Sequence, residues 1–411
     1  MKRNFLTLAL ILASCSIPAS VTAGEPQNVQ YILAHRGDPE ESLTREGFEE
    51  IKRALPVPRG ARIRIGTGFI FSYLYSKYGK AAENLPRFLH LALETDMPVL
   101  VELDGELVWH DRPDLWNWWD PSRPGYDPAN AENVEWTGWG PEHAIKVCWR
   151  NWGCQHRVLP APNLMSPRYR QAVREGQRQL VDITLAWWKD LPPSKKHLFI
   201  GIKVGHESSI GVNAWHYPDG NDLWGRPESE DPVSGLKPEE VPARGVVQTG
   251  YAAVKAAGIR SEGAITEADI AEVVRRHLRD LCSEAAGAGV PRQKLFTHGA
   301  AWKEEELLYG AAVNEFSCPG WSFYKHAGDP RKDKGAQREL KRSDAPYWGA
   351  VEWLYQGPRE VGPWRQALTN TLADGRCRLL SIYNWEGIRE SKNVLEAIRQ
   401  VVAGSVVAEK K

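Results

Sequence analysis

The sequence predicts an α/β chain folded as a (β/α)8 TIM barrel, with long loop insertions after strands 3 and 4. Three observations carry that prediction. Strand-like runs and segments of helical periodicity alternate along residues 24–404 with no repeat or linker between them. The number of strand-like runs is eight, the count that closes a parallel barrel. Charged and polar residues collect at the C-terminal ends of those runs, the end at which such barrels keep their chemistry.

The elements follow in order. Gln30–Ala34 is the first strand, and Ser42–Leu55 a helix. Arg62–Phe71 is the second strand, with a helix over Ala81–Glu94, and Pro98–Leu103 is the third. A long excursion, Val108–Pro167, then gathers Trp, Pro, Asn and Gly; a loop this long inside a compact domain is usually functional. An amphipathic helix, Pro167–Leu191, leads into the fourth strand, Leu198–Val204, a short apolar run closed by Gly205-His206-Glu207. A second polar insertion spans Ala214–Val246. Thr266–Ala286 carries apolar Ile270, Val273, Val274, Leu278 and Leu281 at helical spacing. Lys294–His298, Val313–Cys318, Gly349–Leu354 and Arg378–Trp385 supply strands five to eight, with helices over Trp364–Ala373 and Ser391–Val402. One barrel over residues 24–404 and a polar tail, 405–411, account for the chain after its leader.

The leader is residues 1–23. Lys2-Arg3 precedes the apolar run Phe5–Ala13, which is too short to span a bilayer, and Val21-Thr22-Ala23 offers a cleavage site. Leu12-Ala13-Ser14-Cys15 also resembles a bacterial lipoprotein signal, in which Cys15 would carry a lipid anchor. Either route delivers the protein outside the cytoplasm, to the periplasm, the medium or the outer membrane. Cys148 and Cys154 flank a short segment closely enough for a disulfide in such a compartment.

Composition narrows the functional classes. Lys plus Arg and Asp plus Glu are equal at 52 each, with no basic block, which removes the electrostatic footprint of a nucleic-acid partner. No GxGxxG follows a strand and no phosphate-cradling loop appears, so no cofactor is expected. No Cys/His pair has metal-ligand spacing, and no metal is expected. The chain has 18 Trp against 3 Met. Some of that indole belongs to the core, but Trp116-Asn117-Trp118-Trp119 sits among Pro, Asp and Gly, where stacking on a flat ligand is the alternative.

The strand ends yield the candidate site: His35-Arg36, Glu102, Asp104, Glu106, His206, Glu207, His298, Glu315, Glu352, Trp353, and Asn384-Trp385-Glu386. Hydrolysis of a glycosidic bond needs two carboxyl groups, one to protonate the leaving oxygen and one to attack the sugar carbon or activate water. Glu207 and Glu352, ending strands four and seven, form the expected catalytic pair, with Glu315 and Glu386 in reserve. Asp104, Glu106, Trp109, Trp118, Trp119, His206, His298, Trp353 and Trp385 are the expected substrate contacts.

This layout resembles the retaining (β/α)8 glycosidases of clan A, whose acid/base Glu ends the fourth strand and whose nucleophile Glu ends the seventh. Trp385 resembles the Trp that the clan often keeps under the sugar after the eighth strand. The resemblance implies that Glu207 is the acid/base, Glu352 the nucleophile, and a carbohydrate the partner, with the two carboxyls about 5–5.5 Å apart. The clan usually has Asn before its acid/base residue; here His206 stands in that place.

Two alternatives predict different geometry. Ala34-His35-Arg36-Gly37, Glu102-Leu103-Asp104 and His110-Asp111 resemble elements of the glycerophosphodiester phosphodiesterases, which would bring His35, Glu102, Asp104 and His110 around one cation. A non-catalytic carbohydrate-binding barrel would keep the Trp-rich loops and leave the two acids apart.

Overall fold

The computed structural model describes residues 29–37, 39–76, 80–211, 213–237, 239–240, 244–300 and 306–406. The leader with Cys15, and residues 407–411 of the tail, lie outside them. Among the described residues no helix is long and apolar enough to cross a membrane.

Among the described residues ten strands form: β1 Gln30–His35, β2 Ile63–Ser72, β3 Val99–Asp104, β4 Cys148–Asn151, β5 Gln155–Val158, β6 Phe199–Ser208, β7 Leu295–Gly299, β8 Gly320–Phe323, β9 Trp348–Trp353 and β10 Cys377–Ile382. Eight of them close into a parallel barrel in the order β1-β10-β9-β8-β7-β6-β3-β2, and β4 pairs antiparallel with β5 as a separate hairpin. Parallel neighbours need a crossover, and helices such as Ala81–Thr95, Pro167–Asp190, Glu267–Gly287 and Val361–Leu372 provide it. Several are started by side-chain caps. Thr266 accepts from the backbone N–H of Asp269 while the Asp269 carboxylate accepts from that of Thr266, closing a capping box.

Alternation along the strands divides the core. Tyr31, Leu33, Leu100, Ile200, Phe296, Val351 and Leu379 pack together inside the barrel. Ile32, Ala34, Val99, Val101, Phe199 and Ile202 join the larger layer between strands and helices. Each such aliphatic or aromatic side chain contributes about 1.5–3 kcal/mol when fully buried. Irregularities interrupt the alternation where it matters. The β3–β6 register slips after Val99, so that Glu102 faces Lys203. The β8–β9 register slips after Trp321, so that Ser322 faces Glu352. Such bulges re-aim side chains at barrel rims.

Two expectations need correction. The sixth strand is Gly320–Phe323, not Val313–Cys318. Asn314 accepts from the Phe316 N–H and the Ser317 hydroxyl and turns the chain, so only Cys318 bridges to Phe296 before the strand begins. Cys148 and Cys154 are free thiols. Antiparallel register sets Cys148 opposite Val158 at the open end of the hairpin, whereas Cys154 sits at its tip.

The hairpin and the insertion after β6 form one roof over the barrel's C-terminal mouth. Trp149 and Trp215 exchange backbone hydrogen bonds of 2.9 and 2.8 Å, and Val147, Trp149, Tyr217 and Val233 make a small core of their own.

Candidate active site

Glu207 ends β6 and Glu352 lies on β9, the fourth and seventh strands of the barrel, and both line a cavity of about 1330 Å³ under the roof. Asp104, His206, Tyr324 and Tyr383 share its floor, and Trp152 and Trp215 its upper wall. Another cavity, of about 820 Å³, opens beside Leu55, Arg62, Arg64 and Met97 at the opposite end of the strands. It holds neither of the two carboxylates.

The two carboxylates are joined through two intervening side chains. Ser322 donates to Glu207 Oε1 at 2.7 Å, and His298 Nε2 lies 2.8 Å from Ser322 Oγ and 3.6 Å from Glu352 Oε2. Asn213 Nδ2 donates to Glu207 Oε2 at 2.8 Å, and the Tyr324 hydroxyl donates to Glu352 Oε1. Burial, reinforced by the negative charge of Glu207, pushes the Glu352 carboxyl up to about 7; His206 and Lys203 only partly offset this. Glu207 adopts a left-handed backbone, φ 51°, two residues after Gly205 at φ 79°.

Further ionic groups surround the pair. His206 stands between Asp104 and Glu352, with Nδ1 3.9 Å from Asp104 Oδ2 and Nε2 4.0 Å from Glu352 Oε2. Burial opposes a charge on this imidazole, but the Asp104 carboxylate overcomes it, and the pKa of His206 is raised. Burial likewise opposes ionisation of Asp104, yet His206 and the backbone N–H groups of Glu106 and Leu107 hold it down at about 2. Below the rim Lys203 Nζ lies 2.7 Å from Glu102 Oε2 and 2.9 Å from His298 Nδ1.

His206, His298 and Glu352 also bring three potential metal-ligand atoms within 4.8 Å of one another. The donor set does not suit a cation. A histidine bound through Nε2 normally donates its Nδ1–H to an acceptor, but Nδ1 of His298 faces Lys203, which has donors and no lone pair. His35, Glu102, Asp104 and His110 form no such group among the described residues. Lys203 neutralises Glu102, Asp104 anchors the turn after β3, and His110 leans on Tyr75 instead.

Of the expected contacts, His206 and Asp104 line the cavity beside Glu207 and Glu352. Others are corrected. Glu106 turns away, accepting from Ser208 at 2.6 Å and lying 3.1 Å from His277 Nε2. His298 is fully buried and lies against Glu352 and Ser322 rather than on the open cavity. Trp109, Trp353 and Trp385 are core residues, with Trp109 and Trp353 spending their indole N–H groups on Pro160 and Ala327 carbonyls. Trp118 and Trp119 pack on each other, and Trp119 also on Trp116 and Trp224. The reserves fail as well: Glu315 pairs with Arg279 on the surface, and Glu386 lies 3.5 Å from Arg36.

Sequence reasoning missed the aromatic groups that do face the cavity. Trp152, the one exposed tryptophan among the described residues, sits at the hairpin tip before Gly153, whose φ of 92° makes the turn. Its signal was Asn-Trp-Gly between two short polar strands. Tyr383, one residue past β10, stacks on His35 at 5.2 Å between ring centroids.

No family model matches the chain, and no curated protein matches it in sequence. Among solved structures it is similar to the catalytic domain of a β-amylase from Paenibacillus polymyxa, with 8% identity over 93% of this chain and 99% of that one and a TM-score of 0.48. It is also similar to a broad-specificity endoglucanase from an uncultured bacterium (8% identity, 92% and 94% covered, TM-score 0.43). A morphinone reductase is about as near (10% identity, 93% and 88% covered, TM-score 0.42).

Proposed function

We propose that the protein is a glycoside hydrolase that cleaves an oligo- or polysaccharide with net retention, using Glu207 and Glu352. The observation that carries this reading is the carboxylate pair, buried at the ends of the fourth and seventh barrel strands and opening on one large cavity. Burial and the neighbouring Glu207 carboxylate raise Glu352 to about 7, so it keeps a proton closer to neutral pH than an ordinary carboxyl, as the donor to a glycosidic oxygen must. Trp152 and Trp215 give the sugar an apolar face on which to lie, and His206 and Asp104 answer its hydroxyls. The leader sends the enzyme out of the cytoplasm, where polysaccharide is met.

The test is a screen of chromogenic aryl glycosides with the purified protein beside Glu207→Gln and Glu352→Gln. One glycoside is expected to be hydrolysed, and each substitution to lower kcat on it by at least about 100-fold. Activity that survives both substitutions would remove the assignment. On an oligosaccharide of the same sugar, Trp152→Ala is expected to raise KM by about tenfold, the loss of one stacking contact, and to leave kcat within about twofold. An unchanged KM would take Trp152 out of the binding surface.

A further inference from the structure

We propose that Glu207 is the ionised member of the pair and Glu352 its proton carrier, an order favoured by two hydrogen-bond chains that end on Glu207. The inference rests on the glycosidase reading above and reverses the roles implied by the clan A resemblance.

The first chain starts at Lys203. An ammonium has donors and no acceptor, so at 2.9 Å it requires a lone pair on His298 Nδ1. The proton of a neutral His298 is then on Nε2 and points to Ser322 Oγ, 2.8 Å away. The Ser322 oxygen accepts from that N–H, and its own hydrogen goes to Glu207 Oε1 at 2.7 Å. The second chain starts at the backbone N–H of Asn151, which donates to Asn213 Oδ1 at 3.1 Å. That contact fixes which way the amide points, and its Nδ2 donates to Glu207 Oε2 at 2.8 Å. Neither an ammonium nor a backbone N–H can reverse. Each Glu207 oxygen thus accepts a hydrogen bond from a donor that is itself held from behind, and donors on both oxygens favour the ionised carboxylate.

Glu352 is held differently. Tyr324 donates to Oε1, but the nearest imidazole nitrogens to Oε2, on His298 and His206, are 3.6 and 4.0 Å away. A proton on Oε2 collides with no donor. Burial of His298, with Lys203 and His206 beside it, lowers the pKa of His298 well below its ordinary value and keeps the ring neutral, as the first chain requires.

In the reaction Glu352 gives its proton to the glycosidic oxygen as the bond to the anomeric carbon breaks, and a carboxylate oxygen of Glu207 bonds to that carbon. The aglycone leaves as an alcohol. Glu352, now ionised, takes a proton from water while the water oxygen displaces Glu207, releasing the sugar and restoring both groups.

Leaving-group dependence separates the two orders. With dinitrophenyl and alkyl glycosides of the sugar found in the screen, Glu352→Ala is expected to keep the first, bond-breaking step on the dinitrophenyl glycoside within about tenfold and to lose about a thousandfold on the alkyl glycoside. Azide should then give the glycosyl azide of retained configuration. Glu207→Ala is expected to fail on both, and with azide to give the inverted product. The opposite pattern would overturn the order. Glu352→Gln and Glu207→Gln repeat the comparison if an alanine variant does not fold. Independently of turnover, nitrogen NMR of histidine-labelled protein should find the His298 proton on Nε2. A proton on Nδ1 would break the first chain and reject the inference. If no glycoside is cleaved by the wild type, the glycosidase reading falls, while the histidine spectrum still decides where the donor chain points.

Discussion

Replacing Lys203 by Met is expected to destabilise the protein by about 3–5 kcal/mol, read as a lower urea midpoint at unchanged slope. Lys203 and Glu102 are both almost wholly buried, 2.7 Å apart. Burial alone would raise Glu102, and the Lys203 charge, helped by His35, is what holds it below the ordinary carboxylate value. Without the ammonium, Glu102 is an uncompensated charge or an unsatisfied acid inside the barrel. Removing both partners, as Lys203→Met with Glu102→Gln, is expected to recover most of the loss, because a neutral pair leaves no stranded charge. A single variant as stable as the wild type would show that the pair is not what holds this layer of the barrel together.

Glu135→Gln is expected to act in the opposite direction, increasingly as pH rises. Its carboxyl is buried beside the cavity that Glu106, Arg150 and Glu207 also line, and burial raises it to about 8. The N–H groups of Trp136, Gly250, Ala252 and Ala253 offset part of that rise, although none meets hydrogen-bond geometry. A raised carboxyl binds its proton more tightly in the folded state than in the unfolded chain, where it titrates near 4.5. Its contribution is therefore full below pH 4.5, shrinks as pH rises, and is gone above about 8, a change of about 3–5 kcal/mol. Glutamine does not titrate. Urea unfolding at pH 5, 7 and 9 should show the variant gaining on the wild type at each step, and parallel curves would refute the buried acid.

The barrel was legible because it is written in periodicity. Runs such as Leu198–Val204 and Pro98–Leu103 announce buried parallel strands, and Glu207 and Glu352 could be placed from strand counting alone. The sixth strand was not legible, since Val313–Cys318 has a strand's composition and only the Asn314 turn prevents it. The site's interior was harder still. Lys203 and Ser322 read as an ordinary strand residue and a loop residue, and bulges that no periodicity records turn them toward the carboxylates. Tryptophan misled for a related reason: Trp385 and Trp353 have the right positions in sequence and are consumed by the core, while Trp152 had only a hairpin tip to announce it.

The left-handed backbone at Glu207 bears on why that residue is there at all. A Cβ is strained at φ 51°, so glycine would rest there more comfortably by about 1 kcal/mol or more, and asparagine, whose short amide bonds to nearby backbone, by less. Against that strain stand the hydrogen bonds from Ser322 and Asn213, which a glycine would leave without an acceptor. On the proposed function, position 207 is a place where the chain accepts backbone strain for the reach of one carboxylate, and selection for thermal resistance alone would not protect the residue to which the chemistry is assigned.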